Sequence, residues 1–91
     1  MRYEWDEAKR EANLRKHGID FVGAEAVFES FTITIEDTRL DYGEQRFVTF
    51  GFLEGRLVAV VHTEGADVIR FISIRRMMRS EEKIYLSALP N

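Results

Sequence analysis

The apolar residues of this 91-residue chain change their spacing once, near residue 31, and that change limits the folds open to it. Before it they recur at helical intervals; after it they alternate at first, as Phe31, Ile33 and Ile35 do, the third and fourth runs are apolar on both parities, and most of the links between runs are short. Strands joined by short links pair antiparallel, because a parallel neighbour needs a crossover of a dozen or more residues. Asp6 reads as the N-cap of a helix over 7–17, with Glu7 in its first turn, Lys16 and His17 in its last, and Gly18 ending it. Asp20 reads as the cap of a second helix, with Phe21, Ala24, Val27 and Phe28 on its apolar face. Strands are expected over 31–36, 44–53, 56–63 and 68–75, with Glu54-Gly55 as a hairpin turn. Ser80 reads as the cap of a closing helix carrying Ile84, Tyr85 and Leu89. Residues 2–5 read as an extended lead-in. The expectation is one α+β domain over residues 1–91: two N-terminal helices, a four-stranded antiparallel sheet and a C-terminal helix.

The chain has no cysteine, which removes disulfides and thiolate metal ligands from consideration. No apolar run approaches the roughly 20 residues that span a bilayer. The start, Met1-Arg2-Tyr3-Glu4-Trp5-Asp6, has no apolar signal region, so a cytoplasmic protein away from membranes is expected.

Charge is unevenly placed. The formal net charge is -3, yet Arg70, Arg75, Arg76 and Arg79 fall within ten residues. Residues 21–44 carry six acidic side chains against Arg39 alone. Guanidinium groups keep their charge and match phosphate oxygens in a planar fork. An acidic protein that concentrates arginine on one strand and the following turn has either an edge strand whose arginines reach water or an anion clamp. Arg70 and Arg75 have opposite parity, so they serve one pocket only across a bulge or past the strand end. Glu44 and Arg46 share a parity and form either a surface ion pair or a carboxylate base beside a phosphate-binding guanidinium. His17 is either a helix-end residue or a proton-transfer group, and Lys16 beside it is ordinarily a solvated lysine. His62 reads as a packed strand histidine, and Tyr3, Trp5 and Phe21 as core. Neither a metal-ligand spacing nor a glycine-rich phosphate loop is present, and no metal or cofactor is expected.

Read in order, Trp5-Asp6, Lys9, Asn13 and Lys16-His17-Gly18-Ile19 are followed by Phe21, Ala24 and Val27-Phe28. Then come Glu44-x-Arg46, Gly51, the 57–63 strand, Ile69-Arg70-x-Ile72-Ser73-x-Arg75, and Glu82 to Tyr85. This series resembles the BrnT family of type II toxins, from about Tyr3 to Tyr85. Ile74 departs from the small residue usual there, and Met77-Met78 from a more polar stretch. The resemblance implies a RelE-like fold and a metal-independent endoribonuclease that cleaves cellular RNA and inhibits translation. It also implies a BrnA-like antitoxin, through which alone operator DNA is bound. Such cleavage needs a base for the 2′-hydroxyl, cations for the phosphorane and an acid for the leaving oxygen. Lys16, His17, Glu44, Arg46, Arg70 and Arg75 form the candidate catalytic set. Glu44 or His17 is the base, and the arginines hold the phosphate with Lys16 assisting. Arg15, Ser73, Arg76 and Arg79 are the candidate RNA-binding set. The competing readings are an inactive homologue serving as an interaction or co-repressor module, and a nucleic-acid binder without catalysis.

Overall fold

The computed structural model describes residues 1–91. The elements run β1 (Arg2–Trp5), α1 (Glu7–His17), a 3₁₀ segment (Ala24–Glu29), β2 (Ile33–Glu36), β3 (Phe47–Leu53), β4 (Arg56–Glu64), β5 (Val68–Arg76) and α2 (Arg79–Ala88). The five strands form one mixed sheet in the order β1-β5-β4-β3-β2. Every pair is antiparallel except β1 with β5.

Two features overturn the expected two N-terminal helices and four-stranded antiparallel sheet. The lead-in is a strand, paired in parallel with β5 from Arg2↔Val68 to Trp5↔Phe71. Its period-2 pattern, Tyr3 and Trp5 inward against Arg2 and Glu4, is short and its partner remote, so nothing local marks it. The second helix is a six-residue 3₁₀ segment, Ala24–Glu29. Phe21, Ala24 and Val27 are each fully buried and recur every third residue, which is the 3₁₀ repeat rather than the α repeat. Asp20 does not cap a helix. Its carboxylate accepts from the Val22 amide (2.9 Å) and from Arg10 Nε (2.8 Å).

Local chemistry explains the elements that match. The Asp6 carboxylate accepts from the Lys9 amide (3.2 Å) at the start of α1, and Gly18 at φ 69° ends it. Glu54 and Gly55 both have positive φ (50° and 78°), as a two-residue hairpin between β3 and β4 requires. The closing helix starts one residue before Ser80. Its N-terminus is capped by Glu81, whose Oε1 accepts from the Met78 amide at 2.8 Å.

One sheet face holds the main core. Ile69, Phe71 and Ile74 of β5 and Val58 and Val60 of β4 pack against Ile19, Phe21, Ala24 and Val27. Phe71 is the hub, with ring centroids 5.6 Å from Tyr3, 6.0 Å from Trp5 and 5.9 Å from Phe21. The 3₁₀ segment sits close over β3: a Cβ on Gly51 would stand 2.9 Å from Val27 Cγ1. The opposite face carries a smaller apolar group, Val48, Ala59 and Val61 with Phe50 and Ile72. There α2 lies over the β2 edge, its Tyr85 hydroxyl donating to the Phe31 carbonyl (2.7 Å).

Beyond Phe71 the outer edge of β5 has no strand partner, and Asn13 of α1 takes that place. Its side-chain amide accepts from Ile74 N–H (3.0 Å) and donates to Ile74 C=O (3.0 Å) and to Ile19 C=O (2.9 Å). One buried side chain thus does for Ile74 what a neighbouring strand would do, and fixes the C-terminal half of α1 beside the end of β5. No helix is long and apolar enough to cross a membrane.

Candidate active site

The residues of the candidate site depend on one irregularity. Val61 pairs with Ser73 and His62 with Phe71, so Ile72 is an extra residue in β5. This bulge reverses the parity of the strand at its midpoint. Phe71 and Ile74 therefore both point into the main core, and Arg70, Ser73 and Arg75 all project on the opposite face. The bulge that a shared face for Arg70 and Arg75 demands is present.

At one end of that face lies a carboxylate between two guanidinium groups. Glu44 accepts from Arg46 Nε at 3.1 Å and from Arg70 Nη2 at 2.6 Å. Glu44 and Arg46 are not on β3, as the spacing suggested, but in the loop just before it. The loop is nevertheless built as an extension of the sheet, because the Asp37 amide donates to the Arg46 carbonyl (2.8 Å) and closes it. Inside the loop the Arg46 guanidinium sits 4.2 Å from the centre of the Tyr42 ring. The Tyr42 hydroxyl donates to Asp37 Oδ2 (3.2 Å), and Asp37 grips Arg39 through two bonds of 2.8 Å. The side chains form one continuous run, Arg39–Asp37–Tyr42–Arg46–Glu44–Arg70. Asp37 is buried, and its carboxyl is held well below the ordinary carboxylate range by the hydrogen bonds from Arg39, against the opposing effect of burial.

A second group lies at the other end of β5. Lys16, His17, Arg39, Arg75, Arg76 and Met78 line an open groove of about 440 Å³. Arg75 is held there by a bidentate pair with Glu81 (2.8 and 3.0 Å), whose carboxyl Arg75 in turn holds below its usual value. Lys16, His17, Ser73 and Asn13 line an adjoining shallow cleft between α1 and β5.

The expected site residues thus fall into two groups. Glu44, Arg46 and Arg70 meet directly. Lys16, His17, Arg75 and Arg76 meet at the far end, and Ser73 lies between the two along β5. Arg15 and Arg79 are exposed and line neither the groove nor the cleft. Sequence reasoning missed Arg39, Asp37 and Tyr42, which the polar 37–43 stretch presents as ordinary loop. An aromatic residue within that stretch, and an Asp-x-Arg spacing able to close an ion pair, were the available signals. His62 is fully buried, as expected. Its Nε2 lies 2.7 Å from Thr49 Oγ1, which itself lies 2.8 Å from Thr34 Oγ1, and burial pushes the imidazole pKa down. Tyr3, Trp5 and Phe21 are core, stacked on or tilted against Phe71.

Comparison with curated proteins finds no match. A family model described as "Ribonuclease toxin, BrnT, of type II toxin-antitoxin system" matches residues 5–81, a span holding β1's Trp5, every strand after it and the whole Arg39-to-Arg70 run. The chain belongs to the BrnT family of type II toxin–antitoxin ribonuclease toxins.

Proposed function

We propose that this toxin cleaves cellular RNA without a metal ion, at Glu44, Arg46 and Arg70, and so inhibits translation until a BrnA-like antitoxin neutralises it. What carries the reading is the Glu44 carboxylate held between two guanidinium groups from different parts of the chain. Two hydrogen bonds leave about half of a carboxylate's acceptor sites open. In this reading a scissile phosphate lies against Arg46 and Arg70, and the Glu44 carboxylate accepts the 2′-hydroxyl proton. The 2′-oxygen bonds to phosphorus and the phosphorus–O5′ bond breaks, which leaves a 2′,3′-cyclic phosphate. The departing 5′-oxygen takes a proton from water. The guanidinium groups stabilise the charge gathering on the non-bridging oxygens, where a preorganised cation in a partly dry site is most effective.

Arg75 and Ser73 share the face and would extend the contact with RNA. The antitoxin would cover the same face, and operator DNA would be reached through the antitoxin. Expression in cells tests the reading. Arg46→Ala and Arg70→Ala are each expected to lower RNA cleavage about a hundredfold or more and to relieve growth arrest. Cleavage is expected to continue in excess chelator. Arrest and cleavage that survive both substitutions would remove Glu44, Arg46 and Arg70 from the chemistry and favour a non-catalytic module.

A further inference from the structure

The groove at the end of β5 has a use that the Glu44 centre does not supply. Five of its six lining residues are basic, and four of these carry permanent charge. Only two carboxylates, those of Asp37 and Glu81, oppose them, and each is spent on one arginine. Asp37 takes Nε and Nη2 of Arg39, leaving Nη1 unbonded. Glu81 takes both terminal nitrogens of Arg75, leaving its Nε. Lys16 and Arg76 have no carboxylate partner. The groove therefore keeps both excess charge and unused donors. Arg39 is also fixed in place, because the Asp37 that holds it is buried and tied to Tyr42.

We propose that Lys16, Arg39, Arg75 and Arg76, with His17, form a second phosphate subsite that holds the RNA strand away from the bond to be cut. The proposal rests on the ribonuclease reading and deepens it. The path between the two groups follows β5 from Arg70 to Arg76, six residues, or roughly 15–20 Å at strand rise with a bulge. That is longer than one nucleotide, so the subsite acts only on a polymer. No Phe, Tyr or Trp lines the groove, so apart from the His17 imidazole it has no ring on which a base could stack, and its cations read the backbone. Its one apolar residue, Met78, is a poor anchor for a protein partner, whose interfaces centre on buried apolar groups. Ser73, on the shared face, continues the track back toward Arg70.

The test compares a dinucleotide, which has one phosphodiester, with a hexanucleotide, using wild type, Arg76→Ala and Arg39→Ala/Arg76→Ala. Wild type is expected to favour the hexanucleotide in kcat/KM, and the double variant to lower the hexanucleotide-to-dinucleotide ratio about tenfold. Binding of a non-cleavable 2′-O-methyl hexanucleotide is expected to lose about 0.7 from its log–log salt slope for each phosphate contact removed. Arg39→Ala strips Asp37 of its cation, so melting curves accompany it. Arg76 is exposed and unpaired, so Arg76→Ala carries the test if the double variant fails to fold. An unchanged substrate ratio and salt slope would overturn the subsite. So would weakened antitoxin affinity with RNA binding intact, which would assign the groove to an acidic protein segment. If wild type cuts neither substrate the ribonuclease reading fails, while the salt slope still reports on the subsite.

Discussion

Asn13 concentrates more structural consequence than its type suggests. A helix-interior asparagine is ordinarily a weak helix former, yet this one satisfies both backbone groups of Ile74 and the carbonyl of Ile19. Asn13→Ala leaves those groups buried and unpaired. It is expected to cost about 2 kcal/mol, seen as a lower midpoint in denaturant unfolding. Asn13→Asp keeps the acceptor for Ile74 N–H but loses the donor, and is expected to do no better. Tyr42→Leu removes the ring under Arg46 and the hydroxyl on Asp37 while leaving Glu44, Arg46 and Arg70 in the chain. It is expected to reduce kcat for RNA cleavage about tenfold with folding retained, because a cation–π contact and one charge-assisted bond are lost together. Equal kcat in the two proteins would show that Arg46 needs no platform.

Among the elements, β5 is the one whose irregularity matters most. Deleting Ile72 would restore a regular strand and turn either Ile69 and Phe71 or Ile74 out of the core. Loss of a cooperative thermal transition is expected. Gly51→Ala on β3 places a methyl 2.9 Å from Val27 Cγ1 and 3.1 Å from Ser30 Oγ, and overpacking of this kind costs about 1–3 kcal/mol, read as a drop in Tm. Much of this level was legible in the chain. Asp6 and Gly18 mark the ends of α1, Glu54-Gly55 marks the hairpin, alternation marks β2, and short apolar runs bounded by turns mark β3 to β5, because each signal is local. The parallel pairing of β1 was not legible, since its partner lies at the other end of the chain. The 3₁₀ segment reads as an α-helix in the sequence because Phe21, Ala24, Val27 and Phe28 fit a period of 3.6 nearly as well as 3.0. Of the candidate site, the arginines and Glu44 stood out by type. Arg39 did not, because the Asp37–Tyr42 scaffold that places it exists only after the loop closes.

For the whole molecule, the histidine and the carboxylates with displaced pKa values point in one direction on acidification. Burial lowers the His62 pKa, with Glu64 at 3.9 Å opposing, so the unfolded chain binds that proton first. Stability from this residue is present above about 6.5 and declines as pH falls below it. Asp20, Asp37 and Glu81 are held below the carboxylate range by Arg10, Arg39 and Arg75. Their contribution is present above about 4 and is lost as pH falls further. Tm is therefore expected to fall in two stages on acidification. His62→Gln is expected to abolish the upper stage and keep the lower one; an upper stage that survives it would place that titration elsewhere.

The sheet order carries one more consequence, for synthesis. The strand made first sits beside the strand made last, and Phe71, around which Tyr3, Trp5 and Phe21 gather, is itself on that last strand. A nascent chain released only as far as β4 still lacks the strand that seals its interior, so the core closes only once β5 has emerged.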